Sequence, residues 1–251
     1  MSMIILKSKD DVAKIAHASR IVAEVLQELK KNIKAGVTTK ELDRIAEEQI
    51  IKKKGIPAFK GYRNFPATLC VSINDEVVHG IPSKKRVLKD GDIVGIDLGV
   101  IYRGFYGDAA LSVAVGNVPS ATEKLLRVTE ASLYAGIREA RVGERLSNIS
   151  HAVQTCAEAA GYSLVTEFVG HGIGRSLHEE PQVPNFGPKG KGPRLREGMV
   201  LAIEPMVNMG KSEVEVLEDG WTAVTLDHSL SAHFEHTVAI TAEGPVILSC
   251  I

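Results

Sequence analysis

The sequence predicts an α+β protein in which a pair of helices followed by β-rich segments occurs twice. Two observations predict the helices: apolar residues recur at helical spacing, and helix-capping residues precede them. A third is the change, after each helix pair, to short β-rich runs separated by turn residues. The two halves, about residues 1–116 and 117–251, are joined without a Pro/Ser/Gly-rich linker. One merged domain over residues 1–251 is therefore expected.

The first half begins with two amphipathic helices. Ser8 and Asp11 have the spacing of a capping box, and an apolar stripe at helical spacing follows them and ends before Gly36. A second capping box opens at Thr38 and predicts a helix that ends at Gly55. Each helix should bury its apolar stripe and leave its charged face to solvent.

The second half repeats this order. After β-rich runs over residues 67–115, a third helical pattern spans residues 120–140, with the spacing of a capping box from Ser120, and a fourth spans about 144–161. β-rich runs then continue to Ile247. Identity between the halves is low, so the pattern predicts a duplicated architecture rather than a sequence repeat.

The composition is that of a globular protein and excludes several classes. Of the 251 residues, 44% are apolar and 24% are charged, and a formal net charge of -1 excludes a strongly basic nucleic-acid binder. The three cysteines show no CxxC spacing, which suits a reducing compartment. The sequence starts without a signal-peptide pattern, and no run approaches the ~20 apolar residues of a membrane span. A cytoplasmic protein without membrane contact is expected.

Two acidic residues lie inside apolar strand patterns of the first half. Asp97 lies in the middle of the run 92–100, and Asp108 lies on the next predicted strand. Burial of a lone carboxylate is costly, so Asp97 needs a partner. With a tight turn near residues 102–104, the two acids are expected to face each other with Cβ atoms roughly 5 Å apart. This hairpin alone leaves two alternatives, a metal site or a pair of solvated acids.

The second half adds further acids of this kind. Glu204 lies late in the apolar run 199–207 and Glu235 lies in the run 232–240, while His171 lies in a glycine-rich turn. Two aspartates, two glutamates and one histidine suit a pair of divalent ions that share carboxylates about 3.5–4 Å apart. The same set suits a structural zinc site poorly, because such sites favour cysteine and histidine.

The ordered series of motifs resembles the type I methionine aminopeptidases of the bacterial short form. It consists of His79-Gly80-Ile81-Pro82, the Asp97 and Asp108 hairpin, Gly170-His171-Gly172-Ile173-Gly174, His178-Glu179-Glu180-Pro181, Glu204-Pro205-Met206 and Phe234-Glu235-His236-Thr237. The resemblance covers nearly the whole chain. It implies the pita-bread fold, a pseudo-twofold arrangement of helix pairs on a curved antiparallel sheet, and removal of the initiator methionine when the second residue is small.

The resemblance also implies residue roles. The metal ligands would be Asp97, Asp108, His171, Glu204 and Glu235, with Asp108 and Glu235 bridging two divalent ions of Co, Fe, Mn or Zn. A hydroxide shared by the ions would attack the first peptide bond. Glu204 would relay a proton, His178 would stabilise the oxyanion, and His79 would hold the scissile amide.

The methionine pocket implied by the family lies around the aromatic residues. Its wall would consist of Phe59, Tyr62, Phe65, Cys70 and Trp221, with His79 and His178 in contact with the substrate. Phe168 is expected to fill the core. The chain departs from the common family pattern at Arg63, Val78, Leu177 and His233, and Arg63 and Leu177 are expected at the rim of the pocket.

Three rivals share parts of this pattern: proline-directed aminopeptidases and prolidases, type II methionine aminopeptidases, and a pita-bread protein that has lost catalysis and only binds a partner. The first class typically carries an extra N-terminal domain and the second a helical insertion late in the chain, which the run from Glu204 to Glu235 has no room for. The expected partners are nascent polypeptide N-termini, with at most a weak ribosome contact, no specific DNA, no membrane and a monomeric state.

Overall fold

The computed structural model describes residues 3–250, so the predicted domain ends at residues 1 and 251 lie outside the described residues. Two helix pairs occur as predicted, with shorter ends: α1 Lys9–Asn32, α2 Thr39–Lys52, α3 Ser120–Glu139 and α4 Leu146–Ala159. The capping box at Ser8 and Asp11 is formed in both directions. The box predicted from Ser120 is wrong, because Pro119 is the cap residue and gives no side-chain bond.

The strands are short and pair antiparallel. In chain order they are β1 Ile56–Pro57, β2 Leu69–Ile73, β3 Glu76–Val78, β4 Ile93–Tyr102, β5 Phe105–Ala114, β6 Ser163–Leu164, β7 Gly170–Gly172, β8 Glu179–Val183, β9 Val200–Ile203, β10 Met206–Asn208, β11 Val214–Val216, β12 Ala223–Thr225, β13 Ser231–His233, β14 Glu235–Thr241 and β15 Gly244–Ile247. Nine of them form one sheet in the order β1-β4-β5-β14-β9-β7-β8, with β2 paired to β4 and β15 to β14. Two three-stranded sheets, β13-β10-β6 and β11-β12-β3, flank it.

Each helix pair packs against its own part of the sheets. Leu29 and Leu42, from α1 and α2, lie with Ile96 of β4 in one fully buried cluster. Leu133 and Leu201, from α3 and β9, belong to a second cluster. The strands β5 and β14 pair where the two parts meet, so the sheet continues from one half to the other. Within residues 3–250, none of the helices combines the length and the apolarity that a bilayer span requires.

The β4–β5 hairpin has a different register from the predicted one. Asp97 lies opposite Ala110 and Asp108 opposite Gly99, so the two acids are diagonal neighbours rather than directly opposed. The reason is a two-residue turn at Arg103 and Gly104, both with positive φ (49° and 78°), which moves the centre of the hairpin by one residue. Since positions 97 and 99 share a face, both carboxylates still point to the same side of the sheet.

The apolar runs around the two glutamates are also broken rather than continuous. The run expected over 199–207 divides into β9 and β10 at Glu204 and Pro205, and the run 232–240 divides at Phe234. The strands β9 and β14 belong to the large sheet, whereas β10 and β13 pair in a small one. The chain therefore passes from one sheet to the other at the acids, and Glu204 lies just beyond a strand end.

Candidate active site

The five candidate metal ligands lie on five adjacent strands of the large sheet. In spatial order they are Asp97 on β4, Asp108 on β5, Glu235 on β14, Glu204 directly after β9 and His171 on β7. Asp108, His171 and Glu235 each offer a ligand atom within 4.8 Å of the others. The antiparallel order of the sheet thus brings together side chains that are up to 138 residues apart in sequence, from Asp97 to Glu235.

The carboxylates of this group are buried and partly unpartnered. Asp97 Oδ1, Asp108 Oδ1 and Glu235 Oε1 have no hydrogen-bond partner among the described residues. Burial raises the pKa of Asp97 to about 7. Burial, followed by repulsion from Glu235 and Asp97, holds the pKa of Asp108 well above its usual range. Glu204 and Glu235 have raised pKa values for the same two reasons. These carboxylates cannot all be ionised unless positive charge lies among them. Hard oxygen donors of this kind bind divalent cations.

His171 is suited to be the nitrogen ligand of this group. Burial lowers its pKa to about 3, so the ring is neutral at physiological pH. Its Nδ1 lies 2.9 Å from the carbonyl oxygen of Gly172, which can only accept, so Nδ1 carries the proton. The lone pair is then on Nε2, 3.5 Å from Glu204 Oε1. His233 Nε2 lies 3.8 Å from the other oxygen of Glu204.

Thr237 holds the two strands that carry Asp108 and Glu235 together. Its hydroxyl donates to the carbonyl oxygen of Asp108 (2.7 Å) and accepts the Asp108 N–H (3.1 Å). His236 points away from the acids, and its Nδ1 lies 2.9 Å from Ser249 Oγ. The threonine is not in the predicted set, although it stands next to the matched Glu235-His236 pair in the sequence. It fixes the position of Asp108 through the backbone.

All twelve predicted site residues line one cavity of about 270 Å³. The same cavity is also lined by Arg63, Val78, Phe168, Val169, Leu177 and Met206. The expectation that Phe168 only fills the core is wrong, because Phe168 lines the cavity. Its ring lies edge-on to the His79 ring, with centroids 5.5 Å apart. Val169 and Met206 are not in the predicted set. Met206 could have been predicted from the sequence, since it lies two residues after Glu204. Nothing in the local sequence pattern marks Val169 as a cavity residue.

The apolar wall of the cavity depends on close contacts with the hairpin. Phe65 packs edge-on against Trp221, with ring centroids 5.0 Å apart. A Cβ atom added at Gly99 would lie 2.6 Å from the Phe59 ring. The Phe59 ring therefore occupies the space in front of Gly99. This glycine therefore allows the aromatic wall to approach the carboxylates.

Two further histidines face the carboxylates from the surrounding loops. His79 adopts a left-handed backbone conformation (φ 61°), and burial lowers its pKa to about 4. The His178 ring lies 4.2 Å from the His171 ring, and its Nδ1 lies 2.8 Å from the Tyr62 hydroxyl. Burial and the charge of Arg63 lower the pKa of His178. When Tyr62 donates to Nδ1, the single proton of the neutral ring lies on Nε2.

The metal-free protein is expected to lose stability between pH 6.5 and pH 8. The pKa of Asp97 is raised to about 7, and that of Glu235 lies well above its usual range, so the folded state retains protons that the unfolded chain has released. Each carboxyl group costs about 1.4 kcal/mol per pH unit between its unfolded and its folded pKa, so Asp97 contributes up to about pH 7 and Glu235 continues the fall above that pH. Thermal melts of chelator-treated protein should show Tm falling by about 2–4 °C per kcal/mol.

A matched comparison separates this effect from ordinary pH dependence. Asp97→Asn should reduce the slope of Tm against pH for the chelated protein up to about pH 7, because the amide has no proton to lose. Metal-loaded protein should also show a smaller slope, since cations replace the protons. Histidines with lowered pKa values contribute little here, because in this window they are mostly neutral in both states. A constant or rising Tm in the chelated protein would contradict the prediction.

Comparison with known proteins agrees with this geometry. The sequence pattern of metallopeptidase family M24 matches residues 13–242. Methionine aminopeptidase 1 of Bacillus subtilis is 56% identical over 247 residues, which cover 98% of this chain and 99% of the relative. Methionine aminopeptidase from Thermotoga maritima superposes with a TM-score of 0.98 at 46% identity, covering 99% of this chain and 100% of that one.

A more distant structure shares the fold alone. Prolidase from Pyrococcus furiosus has a TM-score of 0.77 at 22% identity, with 99% of this chain and 66% of that chain covered. The buried carboxylate group on a curved antiparallel sheet and the sequence match define the class: the chain belongs to metallopeptidase family M24. Within that family it belongs to the methionine aminopeptidases. The predicted α+β pita-bread fold is confirmed.

Proposed function

We propose that this chain hydrolyses the first peptide bond of polypeptides that begin with methionine followed by a small residue. The observation that carries the proposal is one cavity of about 270 Å³ that combines an apolar aromatic wall with five metal-ligand side chains. A flexible thioether packs well against aromatic rings and sulfur, which Phe59, Phe65, Cys70 and Trp221 supply. The names of the relatives at 44–56% identity support this substrate class.

The ligand set suits two divalent ions, and Asp108 and Glu235 would be shared between them. Four carboxylates carry a charge of -4 when ionised, which two divalent ions would balance. Asp97, His171 and Glu204 would complete the ligand set. When bound, the ions would supply Lewis acidity and a water activated as a nucleophile at neutral pH. Oxygen-rich ligands of this kind accept Co, Fe, Mn or Zn.

The remaining residues would bind the peptide and move protons. The Glu204 carboxylate would accept the proton of the attacking water and pass it to the leaving amine. His178 would donate from Nε2 to the carbonyl oxygen as it gains negative charge. His79, which is neutral and held against Phe168 and Trp221, would hold the scissile amide. The free α-amine of the substrate would lie on the Asp97 side, which restricts cleavage to chain ends.

The cellular setting is part of the same proposal. The whole chain would act as one catalytic domain, as a monomer in the cytoplasm, on nascent chains. Lysine-rich segments at residues 52–54 and 84–86, together with Lys189 and Lys191, would allow a weak contact with the ribosome. The absence of a bilayer-spanning helix among residues 3–250 agrees with that setting.

Hydrolysis of three peptides tests the proposed function. Met-Gly-Met should be cleaved, Met-Lys-Met should be cleaved much more slowly, and a Xaa-Pro peptide should resist cleavage, with each metal supplied in turn. The chelated protein should be inactive and should recover when metal is restored. Cleavage of the Xaa-Pro peptide alone would instead assign the chain to proline-directed peptidases, and no cleavage with any metal would support a binding protein.

A further inference from the structure

Arg63 is presented at the rim of the cavity by an anchored turn. Tyr62–Asn64 form a 3₁₀ turn, in which Arg63 has a left-handed backbone (φ 46°, ψ 34°). The Phe65 N–H donates to the Tyr62 carbonyl oxygen at 2.8 Å. At the other side, the Tyr62 hydroxyl is bonded to His178 Nδ1 at 2.8 Å. The backbone of Arg63 is therefore held next to His178.

The side chain of Arg63 is exposed and forms no ion pair with the part of the chain that the structure describes. Its Cζ atom lies 5.5 Å from the Tyr62 ring centroid, and none of the ion pairs within residues 3–250 includes it. Arg63 is the one permanently charged cation among the side chains that line the cavity, because the histidines there have lowered pKa values. Its charge also lowers the pKa of His178, so its field reaches into the cavity as far as that ring.

The substrate path brings the rest of the peptide past this charge. Under the proposed function, the methionine side chain and the free α-amine fill the interior of the cavity, against the apolar wall and the carboxylates. The residues beyond the scissile bond must then leave through the open rim. An extended chain advances about 3.3 Å per residue, so the third and fourth residues emerge at the rim while the second is still beside the scissile bond.

We propose that Arg63 is a specificity-determining residue that selects substrates by the charge of their third or fourth residue. Acidic side chains there are favoured and lysine or arginine is disfavoured. This inference rests on the proposed function and extends it from the first two residues of the substrate to the following ones. Since the guanidinium is exposed, the effect is moderate and is screened by salt.

Tetrapeptide amides measure the preference directly. The peptides are Met-Ala-Xaa-Ala-NH2 and Met-Ala-Ala-Xaa-NH2, with glutamate, glutamine or lysine as Xaa; the amide removes the terminal carboxylate, which would itself attract Arg63. At low ionic strength, kcat/KM should fall in the order Glu, Gln, Lys, with a Glu-to-Lys ratio of about three- to tenfold in at least one series. In 0.5 M salt the ratio should approach one.

Charge variants assign the preference to this residue. Arg63→Gln should bring the Glu-to-Lys ratio close to one, and Arg63→Glu should reverse it. Arg103→Gln is the matched control, because Arg103 is also exposed, also left-handed (φ 49°) and also lies over a tyrosine ring, 5.4 Å from Tyr102, but away from the cavity. That variant should keep the native ratio. Any general effect on His178 cancels, since each ratio compares peptides on one protein.

The possible failures are distinguishable. A native ratio near one in both series, or an unchanged ratio in Arg63→Gln, would overturn the role of Arg63 while leaving methionine removal intact. An equal loss of the Glu-to-Lys preference in Arg103→Gln would also overturn the role of Arg63, because the preference would then come from the total charge of the protein. If the native protein cleaves none of the peptides with any metal, the proposed function fails first and the inference fails with it.

Discussion

Replacement of Asp108 by alanine is expected to abolish both metal binding and peptidase activity. Asp108 is buried, contributes one of the three ligand atoms that lie within 4.8 Å of one another, and lies on β5, between the strands that carry Asp97 and Glu235. Without this carboxylate, the proposed metal site would lose one of its ligands. Metal analysis after gel filtration and hydrolysis of Met-Gly-Met check the prediction.

The stability of the metal-free variant provides an independent readout. Asp108→Asn keeps the size of the side chain and removes one of four mutually repelling carboxyl groups, so the chelated variant should melt no lower than the chelated native protein. Asp43→Asn is the matched control, because Asp43 is also buried but accepts the Thr68 and Leu69 N–H groups outside the ligand group. It should lose stability and keep its metal. Full activity in Asp108→Ala would overturn the assignment.

The sequence predicts the fold well where the decisive interactions are local. The Ser8 cap, the apolar stripes of the helices and the order of the elements all depend on residues within a few positions of one another. The strand pairing of the hairpin differs from the predicted one by two residues, because it depends on which two residues adopt a left-handed backbone, and Arg103 carries no strong signal for that. The break at Glu204 depends on pairing with a distant strand, which local patterns do not show.

The metal ligands of the candidate site could be predicted from the sequence without knowledge of the strand positions, because buried carboxylates are unusual. Carboxylates inside apolar runs of the sequence, such as Asp97 and Glu204, need a partner wherever the strands lie, so residue type alone points to a cation. Phe168 has no such signal, since an aromatic residue near a strand is most simply core. Only the folded chain shows that its ring meets His79. The same holds for Thr237, whose role depends on contact with Asp108 across the sheet.

Replacement of His79 by alanine is expected to leave the metal content unchanged and to lower kcat by about 10²–10⁴-fold. His79 lines the cavity but lies outside the group of close ligand atoms, with its ring edge-on to Phe168 and Trp221. An interaction made mainly in the transition state lowers kcat and kcat/KM together. Steady-state kinetics on Met-Gly-Met, with metal analysis of the same samples, separate this result from that of Asp108→Ala.

The backbone of His79 calls for two further variants. Alanine is disfavoured at its left-handed φ of 61°, whereas asparagine tolerates that conformation, so His79→Asn should fold as the native protein does and still lose turnover. His228→Ala is the matched control, because His228 has the same backbone conformation (φ 57°) but is exposed and pairs with Asp75 away from the cavity. It should retain activity. Loss of metal in His79→Asn would make this histidine part of the metal site, whereas retained metal with lost kcat places it against the substrate.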